Sequence, residues 1–204
     1  MTEGGTVVGC CLLDIDNIRP APLPATLGTR LRAAAHRISV EWDNELSATI
    51  VGVYVPMRHT GSRVARAMGG RWFPGVHARA AVELDDDRRR LRWSVEPRDR
   101  ARGYSIRVSA SIPPKAPSMP CEPIGGTCLN AVIGLSPDHH GGLEAARMEP
   151  DHRRAQLVEI DHLGSGFLAG FTTAQPAPAY LMRDVDVTWT QERAPRLAQA
   201  EALA

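Results

Sequence analysis

The stretch Gly69-Gly-Arg-Trp-Phe-Pro-Gly-Val-His-Ala-Arg-Ala80 decides how the chain is read. Its paired glycines permit backbone angles that a Cβ resists, and Pro74-Gly75 is a turn dipeptide. His77 then opens an alternating run in which Val76, Ala78, Ala80, Val82 and Leu84 share one face, the pattern of a strand. A bend that carries Arg71, Trp72 and Phe73 and delivers His77 into a strand suits the mouth of a pocket. A tight hairpin corner plugged by Trp72 fits the same residues.

Outward from this stretch, short alternating runs recur. Thr6–Asp14 and His36–Trp42 are predicted strands, the second placing His36, Ile38, Val40 and Trp42 on one face. Ala48–His59 is a third, with Val51, Val53, Val55, Met57 and His59 together. Leu91, Trp93 and Val95 alternate after an Asp85-Asp-Asp87 turn, and Tyr104, Ile106 and Val108 repeat the pattern. Gln156–His162 and Ala179–Trp189 are further strands. Thr26–Ala35 and Gly61–Met68 are predicted short helices, the latter ending at Gly69. Ile112–Thr127 is an irregular Pro/Gly-rich excursion. Runs at this spacing indicate an antiparallel sheet, curled or closed, rather than βαβ units.

Composition bounds the function. The 204 residues, 43% hydrophobic and 23% charged, suit one soluble domain over residues 1–190 with a helix-prone tail at 191–204. A net charge of +1 argues against a nucleic-acid footprint. No apolar run is long enough for a membrane span, and the N-terminus lacks a signal-peptide pattern, so a cytoplasmic location is expected. Homo-oligomer formation is left open. Cys10-Cys11 and Cys121…Cys128 contain no CxxC pair and read as reduced structural thiols. Asp138-His139-His140 lies in a glycine loop and reads as solvated. No metal and no cofactor are expected, and GxSxG, Walker and GxGxxG patterns are absent.

Polar residues on apolar faces give the sharpest clue. On a strand running from Ala179 to Trp189, Arg183 would sit among Leu181, Val185, Val187 and Trp189. A buried cation there needs an acceptor. His36 and His59 also lie on apolar faces, at the ends of their runs, where they would line a cavity or reach solvent at its rim.

Four blocks together carry a resemblance: Ala35-His-Arg-Ile-Ser-Val-Glu-Trp42, Gly52-Val-Tyr-Val-Pro56 with Arg58 and Thr60, Gly69–Ala80, and Ala179-Tyr-Leu-Met-Arg183 ending in Trp189. The chain resembles the DUF2071-like proteins of the acetoacetate decarboxylase-like superfamily. The resemblance implies an α+β, mainly antiparallel β fold, a curled cone-like β-barrel with a central cavity and a few peripheral helices. The superfamily's decarboxylases use a lysine as a Schiff-base nucleophile. Its segment corresponds loosely to Met68–Arg71, which holds none, and Lys115 is this chain's only lysine.

The reading that follows is a cavity enzyme acting on a keto- or carboxylate-bearing metabolite by acid–base chemistry. His77, His59 and His36 would be catalytic, and Arg183, Arg71, Arg58 and Tyr54 would bind substrate. The alternatives are a binding protein using the same cavity, Schiff-base chemistry at Lys115, and a partner-binding domain with a filled barrel.

Overall fold

The computed structural model describes residues 6–43, 48–69, 75–99, 103–114, 119–120 and 131–194. Arg71, Trp72, Phe73, Lys115, Cys121 and Cys128 lie outside them, as does the tail from residue 195. Strands dominate: β1 (Val8–Ile18), β2 (Thr29–Asp43), β3 (Thr49–Thr60), β4 (His77–Asp86), β5 (Arg90–Pro97), β6 (Ile106–Ser111), β7 (Met119–Pro120), β8 (Ile133–Pro137), β9 (Leu143–Pro150), β10 (Arg154–Ser165), β11 (Ala179–Leu181) and β12 (Val187–Glu192). A single α-helix, α1 (Arg63–Met68), is described; Ser62 caps it by accepting from the Ala65 N–H.

The sheet is organised by β3. Its one edge pairs along its length with β2, which pairs in turn with β1. Its other edge is divided. Val53 and Tyr54 pair with Gly134 and Leu135 of β8, whereas Arg58, His59 and Thr60 pair with His77, Ala78 and Arg79 of β4. Both of these pairings are parallel. One arm continues β4–β5–β6–β10–β11 and the other β8–β9–β12, all antiparallel. The fork falls at Pro56, which has no N–H to donate. A bulge sits there too, with Val55 and Pro56 facing the single residue Arg37.

Several expectations are corrected. The sheet is mixed, and among the described residues it is branched rather than closed into a barrel, since β1, β11 and β12 each end an arm. Thr26–Ala35 is not helical: a short 3-10 turn at Ala25–Leu27 leads into β2. Ala33, Ala34 and Ala35 are good helix formers, but pairing on both edges of β2 overrides that preference. Small side chains also allow close packing there, and all three are buried. Gln191 and Glu192 belong to β12 rather than to a helical tail. Ala34 joins Ala80, Trp93, Val95 and Ile106 in one core cluster; Ile18, Leu31, Ala33 and Ala65 form another beneath α1, with Trp189 against it. Among the described residues no helix is long and apolar enough to cross a membrane.

The expected final strand is broken in two. Asp184 takes φ 53°, a left-handed conformation that a continuous strand does not allow, and separates β11 from β12. Arg183 therefore has no apolar face to occupy. Its guanidinium makes a two-pronged pair with Asp86, Nη1 to Oδ2 at 2.7 Å and Nη2 to Oδ1 at 2.8 Å. Hydrogen bonds from Arg183 hold the Asp86 carboxyl below the usual carboxylate range, assisted by the Arg88 N–H. The pair pins the β11–β12 connection to the β4–β5 turn. Arg183→Ala and Asp86→Asn should each cost about 0.5–1 kcal/mol in urea unfolding. The double variant should cost little more than either single one, which a double-mutant cycle measures directly.

Candidate functional site

Two constellations are built on β3, one on each face. On the first face, Ala34 pairs with His59 and His36 with Met57, so the two histidines are diagonal neighbours. Both are wholly buried, with ring centroids 5.8 Å apart at 81°. Phe167 covers His36 at 4.6 Å and Tyr104 meets it edge-on at 5.8 Å; Phe171 backs Phe167 at 5.3 Å. Gly103 is laid against His59: a Cβ there would stand 2.7 Å from Nε2 and 2.8 Å from Pro97. Among the described residues, no ring nitrogen of either histidine has a hydrogen-bond partner.

Burial pushes His36 down to about 4, with His59 acting in the same direction, and burial also lowers His59. Both are neutral imidazoles at physiological pH. Cys10 pairs with His36 across β1–β2, but burial raises its thiol to about 11, so it is no nucleophile.

The opposite face carries Arg58, since neighbouring strand residues point opposite ways. Its Nη2 donates to the Ser136 hydroxyl at 2.7 Å, and its Nε is buried without a partner among the described residues. Burial lowers this guanidinium to about 10; nearby Arg37 adds to the effect, and Cys11 and Glu144 oppose it. His77 is its register partner on β4. Gly75 closes over the group with φ 79° and donates its N–H to Glu144 Oε2 at 3.0 Å. A Cβ at Gly75 would come within 2.8 Å of Arg58 Nε and 2.9 Å of the Ser136 Cβ, so both conformation and space demand glycine. His139 joins the assembly from the β8–β9 loop, its Nε2 3.2 Å from the Gly69 carbonyl oxygen.

The structure thus brings His36 to His59, and Arg58 to His77, on opposite faces of one strand. Tyr54 is half-buried between Ile38 and Leu135, one residue short of Ser136 in register. Arg183 stands apart at the surface, and Arg71 lies outside the described residues. Among the described residues, Arg183 and the histidines therefore do not line a single hollow. A cavity of about 180 Å³ between β2 and α1 is lined by apolar residues such as Leu27, Leu31 and Met68. Another of about 280 Å³ is lined by Arg90, Arg92, Ser109, Ser111 and Asp161. Neither is lined by a histidine.

Ser136, Glu144 and Phe167 escaped the sequence reading, and Tyr104 entered it only as a strand residue. Ser136 and Glu144 lie on strands whose pairing gives no local signal, and β9 itself was not expected. Asp138 spends its carboxylate on the loop, accepting from the N–H groups of His140 and Gly142 at 2.7 Å each. Among the described residues no group of three or more ligating side chains is placed to hold a metal.

The histidine pair sets a pH dependence. An unfolded chain takes up protons at about 6.5, the folded His36 only at about 4. Stability is therefore complete above pH 6.5 and falls as pH drops towards 4, by about 3 kcal/mol for this group. His36→Phe should flatten that part of a melting-temperature profile. An unchanged profile would show that His36 takes up its proton in the fold as readily as in the unfolded chain.

Comparison with known proteins places the architecture. The fold is similar to the crystal structure of acetoacetate decarboxylase from Legionella pneumophila subsp. pneumophila str. Philadelphia 1, with a TM-score of 0.51 over 84% of this chain and 70% of that one. Identity is 11%, so the likeness speaks for the fold alone. No family model and no curated protein matches the chain. What the chain shares is an acetoacetate decarboxylase-like fold.

Proposed function

We propose that this protein is a small-molecule enzyme, acting on a keto- or carboxylate-bearing metabolite by acid–base chemistry without a Schiff base. The observation that carries the reading is the Arg58 guanidinium. It is largely withdrawn from water, yet its side-chain acceptor among the described residues is a neutral hydroxyl. A substrate carboxylate, or the oxygen of a developing enolate, has the chemistry to occupy it. Arg58 takes the part first expected of Arg183, which Asp86 already occupies.

His77, beside Arg58 in register, would move the proton. Glu144 would act as a positioning residue through the Gly75 N–H. His36 and His59, buried on the other face of β3, stand apart from this set. Decarboxylation, dehydration, isomerisation or cyclisation of a keto-type substrate are the candidate reactions. The resemblance to DUF2071-like proteins supports the reading, because its blocks contain Arg58 and His77.

A second reading is binding without turnover, favoured by the close ring packing around His36, which leaves its imidazole little room to meet a substrate. Schiff-base chemistry at Lys115 is the third.

A panel of small keto acids separates the three. His77→Gln should lower kcat by about a hundredfold with KM little changed. Arg58→Gln should raise KM about tenfold or more. Ligand-induced stabilisation with no product would favour binding alone. Borohydride trapping of an adduct on Lys115 would overturn the acid–base route.

A further inference from the structure

We propose that Arg63, Arg66, Arg79 and Arg98 form a binding site for the phosphate groups of a phosphorylated small molecule, whose other end reaches Arg58 and His77. The four come from three elements. Arg98 donates its backbone N–H to the Arg79 carbonyl at 3.0 Å, one step beyond the Ala80–Pro97 pair, so the two arginines stand opposite each other across β4 and β5. Arg63 and Arg66, three residues apart on α1, share a helix face. That helix follows directly on Thr60, the register partner of Arg79.

All four side chains are exposed. Among the described residues none of them is in an ion pair. Instead they act on one another: the charge of Arg98, then burial, then Arg66 and Arg63 hold Arg79 below the ordinary arginine range.

Like charges placed opposite each other on a sheet work against folding. The chain carries 24 basic and 23 acidic residues, so a general excess of arginine charge does not account for such a concentration. Guanidinium forks match phosphate oxygens two at a time, and an anion with several charges would turn the mutual repulsion into attraction. The site also has a direction. His77 and Arg79, two residues apart on β4, point to the same face about 7 Å from each other. A ligand anchored by phosphate at Arg79 would therefore extend towards Arg58. This inference takes from the proposed function only the position of the reacting end; the anion site stands on its own residues.

The test is calorimetry with inorganic pyrophosphate at low ionic strength, set beside pyruvate as a probe of Arg58. Pyrophosphate should bind the wild-type chain and raise its melting temperature. The variant Arg79→Gln/Arg98→Gln should lose affinity by about tenfold or more. It should melt no lower than wild type without ligand, because a repulsion has been removed. Arg58→Gln should bind pyrophosphate within about twofold of wild type while losing its response to pyruvate. Absence of pyrophosphate binding, or equal binding by the double variant, would overturn the phosphate site and leave the Arg58 reading standing. Loss of only the pyruvate response in wild type would do the reverse. Tighter binding of a single-stranded oligonucleotide through the same arginines, with a steep salt dependence, would overturn the small-ligand assignment in favour of nucleic acid.

Discussion

No single neighbour runs the length of the outer edge of β3. Pro56 contributes no donor, and the bulge with Val55 interrupts the alternation. The strand before it is taken by β8 and the strand after it by β4, so the sheet parts at that point. The Arg58 constellation lies about this fork. Arg58 is the first residue paired with β4, Ser136 follows the last described pair with β8, Gly75 leads into β4, and Glu144 lies on β9, next to β8. A regular ladder would have brought β4 and β8 into conflict for the same edge. Parting them opens a place where a guanidinium meets a hydroxyl and a glycine rather than another strand.

The two faces of β3 are charged differently although burial acts on both. Imidazole sheds its proton when it is desolvated, and His36 and His59 are neutral within aromatic walls. Arginine retains its proton under the same treatment, because even a value lowered to about 10 leaves it cationic at neutral pH. One strand thus carries a fixed charge on one side and uncharged donors and acceptors on the other. Neither arrangement helps stability; unsatisfied ring nitrogens and a thinly paired cation both cost free energy. Departures of this kind from well-satisfied packing concentrate where a protein handles ligands.

Much of this was legible from residue pattern. The alternating faces of Leu91–Val95 and Ile106–Val108 mark strands that the structure contains, and the run after Gly69 does become β4. His36 and His59 stand out as imidazoles on apolar faces and are indeed buried. The failures have definite causes. Arg183 was placed inward by assuming an unbroken strand, which the positive φ of Asp184 forbids, and aspartate gives that only a weak local signal. The alanine run of β2 satisfies helix propensity, and only its two long pairings make it a strand. The bulge at Pro56 changes which residues of β3 share a face. Tyr54, paired with Ile38, falls in with Met57 and His59, where strict alternation puts Val53 and Val55. Partners such as Ser136 and Glu144 are set by pairings between segments distant in sequence, and no local periodicity encodes them.

The identity of the cation at the fork also restricts the chemistry. A Schiff base begins with an uncharged amine attacking a carbonyl carbon, which a compact ammonium can become after losing a proton in an apolar site. A guanidinium cannot take that path; its charge is delocalised and persists after burial. What it does well is hold two oxygens in its plane, or stabilise negative charge as it accumulates on one. On the function proposed above, Arg58 at the fork and His77 next to it would serve proton transfer at a carbon whose neighbouring carbonyl is drawn towards a permanent positive charge. Glu144 would oppose that chemistry if its carboxylate faced the same oxygen. Its hydrogen bond from Gly75 engages one of its oxygens in shaping the turn.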